Sequence, residues 1–114
     1  PVIHNSEGWQ GVDGVIDKDL LTSILAKELN ATHLVIATDV ENVWVGPNRD
    51  PIGKINSVTL RKYYDAGEFP SGSMGPKVQA ALNFVKSKNQ TTIITSLSNV
   101  MQALDGNAGT IVTL

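Results

Sequence analysis

Apolar residues along the chain fall in short blocks whose spacing switches between helical and extended periods. Over residues 17–29, Leu20, Leu21, Ile24, Leu25 and Leu29 recur at three- and four-residue steps, with Lys27 and Glu28 on the other side. That pattern predicts an amphipathic helix. Asp17 and Asp19 stand in its first turn, where the positive end of the helix dipole favours anions. Residues 33–37 (HLVIA) form a continuous apolar run that reads as a buried strand. Residues 43–45 are expected to be extended, and residues 46–53 (GPNRDPIG) are turn material. A short helix is expected over 59–66, capped by Ser57 or Thr59, followed by a loop over 67–76. Pro76 then suits the first position of a helix running to about Lys88, with Val78, Ala81, Leu82 and Val85 as its apolar stripe. Residues 91–95 (TTIIT) and 110–114 (TIVTL) read as strands, with a short helix over 97–104 stopped by Asp105-Gly106. At the start, residues 1–3 read as a strand and residues 4–14, with three Gly, as a loop. Alternating helices and strands predict one α/β domain with a mainly parallel sheet.

Composition narrows the functional classes. Among 114 residues, 41% are apolar and 18% charged, with ten Gly and five Pro, which excludes a collagen-like repeat and argues against wholesale disorder. Nine Lys and Arg against eleven Asp and Glu leave no basic excess, so a general nucleic-acid binder is not expected. No run has the length of a membrane span, and Cys is absent, which removes disulfides and thiolate metal sites and fits a cytoplasmic protein. His4 and His33 lack metal-ligand spacing, so no metal site is expected among the side chains. The chain opens on Pro1-Val2-Ile3, an apolar edge that reads as a strand entered from upstream, so the chain is expected to be part of a longer protein.

Three segments could carry chemistry. In Asp17-Lys18-Asp19, a lysine stands between carboxylates at a helix start, where free N–H groups suit a phosphate. An ordinary acidic first turn with a solvated lysine explains the same residues. In residues 71–77 (SGSMGPK), small residues allow close backbone approach, and Lys77 stands where the helix dipole disfavours a cation. Such a local conflict points to function, whereas a flexible linker before a helix is the plain alternative. The segment is not a P-loop, because Val78 follows the lysine. Thr38-Asp39-Val40 follows directly on an expected strand, where open α/β sheets bind ligands. Trp44, just beyond, could stack on a purine or simply fill the core.

Together these segments resemble the carbamate kinase family, within the amino acid kinase superfamily that includes acetylglutamate and UMP kinases. The strings that carry the resemblance are GVDGVIDKDL (11–20), ATDVENVWV (37–45), YYDAGEFPSGSMGPKVQAALNFV (63–85) and ALDGNAGT (103–110). The resemblance implies an α/β/α sandwich around an open, mainly parallel sheet, with residues 1–114 as the C-terminal, nucleotide-binding part. The half that carries the phosphate-acceptor loop would lie outside it, so the chain alone is expected to be nearly inactive. It further implies reversible phosphoryl transfer between carbamoyl phosphate and ADP, giving ATP and carbamate, with Mg²⁺ on the nucleotide and a homodimeric intact protein. By position, Lys18 and Lys77 would stabilise charge on the transferred phosphoryl group and Asp19 would organise the lysines. Thr38, Asp39, Val40 and Trp44 would border adenine and ribose, and Ser73, Met74 and Gly75 would pack near the nucleotide. Trp44 stands where the family usually has Tyr, and Ile111 follows Thr110 where Arg is usual. Another kinase of the superfamily, or a non-catalytic nucleotide-binding or regulatory module, remains as an alternative.

Overall fold

The computed structural model describes residues 1–114. β1 (Val2–Asn5) and β2 (Gly8–Gly11) pair antiparallel, with His4 opposite Trp9. The expected loop over residues 4–14 therefore contains a strand. Its residues show no alternating pattern because β1, not a core, holds it in place. The Asn5 carboxamide oxygen accepts from the Glu7 N–H at 2.9 Å and closes the turn. The His4 and Trp9 rings pack against each other across the pair, tilted by 52° with centroids 4.7 Å apart.

α1 spans Lys18–Glu28. Asp17 is its N-cap, accepting from the Leu20 N–H at 2.9 Å. β3 (His33–Thr38) follows, then a small antiparallel ribbon of β4 (Trp44–Val45) and β5 (Asp50–Pro51), and β6 (Lys54–Asn56). α2 covers Ser57–Asp65, capped by Asn56, whose side chain accepts from the Thr59 N–H at 2.8 Å, rather than by Ser57 or Thr59. α3 covers Met74–Phe84 and so begins ahead of Pro76, which sits as its third residue. Pro is tolerated there because N–H groups of the first turn have no intrahelical partner. β7 (Thr91–Ser96), a 3₁₀ turn over Leu97–Asn99, α4 (Val100–Leu104) and β8 (Thr110–Thr113) complete the chain.

The main sheet has strand order β3-β7-β8-β6. β3–β7 and β6–β8 are parallel and β7–β8 is antiparallel, so the sheet is mainly parallel as expected. β6 was not expected from the sequence. It is three residues long with one half-buried residue, too short to show a period. Leu34 and Ile36 of β3, Ile94 of β7 and Val112 of β8 share one face. They form the core with Val78, Ala81, Leu82 and Phe84 of α3. α3 is central, packed against α1, α2, β3 and β7, while α4 packs against β7. Ile93 of β7 alternates with Ile94 and is buried on the opposite face. No helix is long and apolar enough to cross a membrane.

α1 differs from its expected orientation. Leu21, Ile24, Leu25 and Leu29 are exposed, Ile24 by 56% and Leu25 by 54%, while the buried positions are Ser23 and Ala26. Small side chains on that face let α1 lie against α3, and Ser23 satisfies its own hydroxyl by donating to the Leu20 carbonyl at 2.7 Å. The leucine stripe consequently faces away from the sheet.

The segment between β3 and β6 is pinned by one buried hydroxyl. Thr110 Oγ1 accepts from the Val43 N–H at 2.8 Å and donates to the Ile52 carbonyl at 2.6 Å. The Ile52 N–H donates to the Val43 carbonyl at 2.7 Å. Thr110→Val keeps the shape and strands the Val43 donor. It is expected to destabilise the fold by about 1–3 kcal/mol in urea unfolding, while Thr110→Ser, which keeps the hydroxyl, loses less. Equal losses for the two variants would show that the methyl, not the hydroxyl, matters.

Candidate functional site

A cavity of about 630 Å³ opens outside the carboxyl end of β3. Thr38, Asp39 and Val40, directly at and beyond that strand end, form one wall, where open α/β sheets expose free strand ends and helix starts to ligands. Asp17 and Asp19, from the start of α1, form a second wall, and Ser73, Met74, Pro76 and Lys77, from the start of α3, a third. Two eleven-residue helices thus direct their N-terminal ends at one space. The positive ends of their dipoles favour an anion there, although the Leu20 N–H is already taken by Asp17, the Gly75 N–H by the Pro70 carbonyl, and Pro76 has none. Trp44 and Arg49 close the cavity from the β4–β5 ribbon, over a floor containing buried Phe69 and Met74.

Lys77 Nζ donates to Asp19 Oδ2 at 2.9 Å, with the two side chains 22% and 25% exposed. This ion pair resolves the local conflict at the start of α3, where a cation faces the positive end of the helix dipole: the counter-charge comes from α1. It also holds the ammonium inside the cavity rather than in solvent. At that exposure the pair contributes little to stability, so its value lies in placing charge.

The ribbon is tied down beside the cavity. Glu68 Oε2 accepts from the Gly46 N–H at 3.1 Å, linking the ribbon to the loop before α3. That loop folds tightly onto the helix: the Gly75 N–H donates to the Pro70 carbonyl at 2.8 Å, and a Cβ on Gly75 would lie 2.8 Å from the same oxygen. Only glycine permits this approach.

Of the residues singled out from the sequence, Asp19, Lys77, Thr38, Asp39, Val40, Trp44, Ser73 and Met74 line one cavity. Lys18 and Gly75 do not. Lys18 is exposed on the first turn of α1, and Gly75 lies buried behind the Pro70 carbonyl, facing a smaller cleft. Arg49 and Glu68 had no signal of their own, since they lie in segments that read as turn and loop. The carboxylates are dispersed around the cavity, and no group of three His, Cys, Asp or Glu side chains comes together. The residues therefore offer no all-protein cage for a divalent cation.

Comparison with known proteins identifies the family and the fold. The model of the amino acid kinase family matches residues 1–96. Carbamate kinase of Thermoplasma volcanium is 45% identical over 115 residues, covering 98% of this chain and 38% of that protein. Carbamate kinase 2 of Staphylococcus aureus is also 45% identical, over 96% of this chain and 36% of the relative. The structure of carbamate kinase from Giardia lamblia bound to AMP-PNP superposes with a TM-score of 0.93 at 40% identity, covering 99% of this chain and 41% of that one. The chain thus spans little more than a third of the length of the curated relatives it matches. With a family match over most of its length, an α/β sheet flanked by helices and a cavity between two helix starts, the chain belongs to the amino acid kinase family.

Proposed function

We propose that these 114 residues form the nucleotide-binding part of a carbamate kinase-like phosphotransferase. The observation that carries this reading is the convergence of two helix N-termini, the Asp19–Lys77 pair and the Trp44 ring on one cavity. In it, Trp44 and Val40 receive adenine, Thr38 and Asp39 border the ribose, and Ser73, Met74 and the helix starts receive phosphate. Lys77 stabilises charge on the transferring phosphoryl group, with Asp19 orienting it. Lys18 joins from the rim. Phosphoryl transfer needs mostly positioning and positive charge, which is what this arrangement supplies. Mg²⁺ enters on the nucleotide and neutralises its phosphates.

The reaction is reversible transfer between carbamoyl phosphate and ADP, giving ATP and carbamate. The acceptor half lies outside these residues. Two observations support that division: the exposed Leu21, Ile24, Leu25 and Leu29 stripe on α1, which more protein would cover, and the partial coverage of the relatives. The lack of Cys suits a reducing cytoplasm.

Calorimetry with ADP and AMP-PNP tests the site, and both are expected to bind and to compete. ATP formation from carbamoyl phosphate and ADP, assayed in a longer protein carrying this chain, tests the reaction. Turnover with a different phosphate acceptor would instead make it another kinase of the family. Trp44→Ala is expected to weaken adenosine and ADP alike, by roughly five- to thirtyfold, because stacking reads the base and not the phosphates. A loss confined to ADP would remove Trp44 from the base subsite.

A further inference from the structure

We propose that Arg49 is a specificity-determining cover on the Trp44 ring, one that yields to a nucleotide but resists a nucleoside. The proposal rests on the nucleotide reading of the cavity and adds to it a device that selects for phosphate.

The Arg49 guanidinium carbon lies 4.3 Å from the centroid of the Trp44 ring, and both residues line the cavity. The aromatic face is therefore occupied by a cation. A base stacking on that face must displace it. The cover is weakly held, since Arg49 is an exposed residue and has no carboxylate partner; the ion pair in the cavity belongs to Lys77 and Asp19.

Its backbone is anchored while its side chain is free. Arg49 adopts a left-handed conformation with φ 54°, and its N–H donates to the Gly46 carbonyl at 3.1 Å. The ribbon is fixed by the β4–β5 pairing and by Glu68 on the Gly46 N–H. A non-glycine residue holds this conformation only where its surroundings impose it. The tertiary structure thus fixes where the guanidinium starts from, not where it ends.

Charge decides which ligand can lift the cover. The cavity is lined by four carboxylates, Asp17, Asp19, Asp39 and Glu68, against two cations, Arg49 and Lys77. Lys77 is already paired. An incoming phosphate therefore finds Arg49 as the unpaired cation, and a guanidinium that leaves the ring for a phosphate exchanges one partner for a better one. Adenosine offers no such exchange, so displacing Arg49 lowers its affinity without return.

The test uses the full chain with Trp9→Phe, which leaves Trp44 as the sole tryptophan of the two. Fluorescence titration compares adenosine and ADP with Arg49 present and in Arg49→Ala. The alanine variant is expected to bind adenosine about two- to fivefold more tightly and ADP about threefold more weakly, so that the ratio of the two affinities falls about tenfold. Without ligand, acrylamide should quench Trp44 more strongly in Arg49→Ala. An unchanged ratio overturns the proposal, as does a parallel loss for both ligands, which would mean that Arg49 only supports the ribbon. A changed ratio with unchanged quenching also overturns it, because Arg49 would then meet phosphate without covering the ring. If the parent binds neither ligand yet Arg49→Ala still raises quenching, the contact stands, and the nucleotide reading fails together with the selectivity built on it.

Discussion

Lys77→Ala is expected to weaken ADP binding by about ten- to a hundredfold while leaving adenosine binding nearly unchanged. A hydrogen bond to a charged group contributes about 1.5–3 kcal/mol, and Lys77 is the cation that the structure holds between the starts of α1 and α3, by its 2.9 Å bond to Asp19. Stability should respond far less. The pair is about a quarter exposed, so its removal is expected to change folding free energy by less than about 1 kcal/mol. Calorimetry with both ligands and a thermal melt separate the two effects. Equal losses for ADP and adenosine would mean that Lys77 shapes the cavity rather than meeting phosphate. A large fall in melting temperature with little change in binding would make the Asp19–Lys77 pair a structural tie between α1 and α3.

Gly109→Ala is expected to be the most destabilising of the single substitutions considered, by about 2–5 kcal/mol. Two effects add. Gly109 has φ 75°, a conformation that disfavours any L side chain by about 1–2 kcal/mol. A Cβ there would also lie 2.8 Å from Thr95 Cβ and 3.0 Å from the Ile94 carbonyl oxygen. Those atoms belong to the buried strand β7 and cannot withdraw freely, so overpacking adds about 1–3 kcal/mol. Against a total stability of about 5–15 kcal/mol, that is a large share. Gly106→Ala is the control: φ is 82°, but nothing stands within 4 Å of the added carbon, so only the conformational effect remains. Chemical denaturation of the two variants measures the difference. Equal destabilisation would show that β7 relaxes around the new methyl.

The two sites meet in one structural element. Gly109 lets the chain pass close to β7 before Thr110, and Thr110 in turn holds Val43, the residue before Trp44. A defect at Gly109 is therefore expected to reach the cavity through the ribbon rather than through the lysine.

Much of this was legible in the sequence, for local reasons. Helix and strand identities followed from spacing within a few residues: the HLVIA and TTIIT runs are β3 and β7, and Val78, Ala81 and Leu82 lie on the core face of α3, which ends at Phe84, short of the expected Lys88, with Val85 packed in the core just beyond it. The acidic start of α1 and the lysine at the start of α3 marked the cavity because each broke or used a rule of helix electrostatics in its own turn. The strings 11–20, 37–45 and 63–85 carried the family resemblance that the match over residues 1–96 bears out.

Tertiary structure decided what depends on residues far apart in the chain. Asp19 and Lys77 are 58 positions apart, and nothing in either segment says that one neutralises the other. Periodicity identified the leucine stripe of α1 but not its direction, because a stripe states that a face is apolar and not which surface covers it; here Ser23 and Ala26 allowed the closer packing. β2 and β6 are too short for a period and exist through their partners, β1 and β8. Arg49 read as a turn residue and became part of the cavity only when the ribbon laid it on Trp44. Local periodicity is written in neighbouring residues, so the sequence alone determined the longer helices and strands and marked the candidate chemistry on them. Which charge meets which, and which ring is covered, is set by packing free energy summed over the whole chain, and that sum exists only in the folded structure.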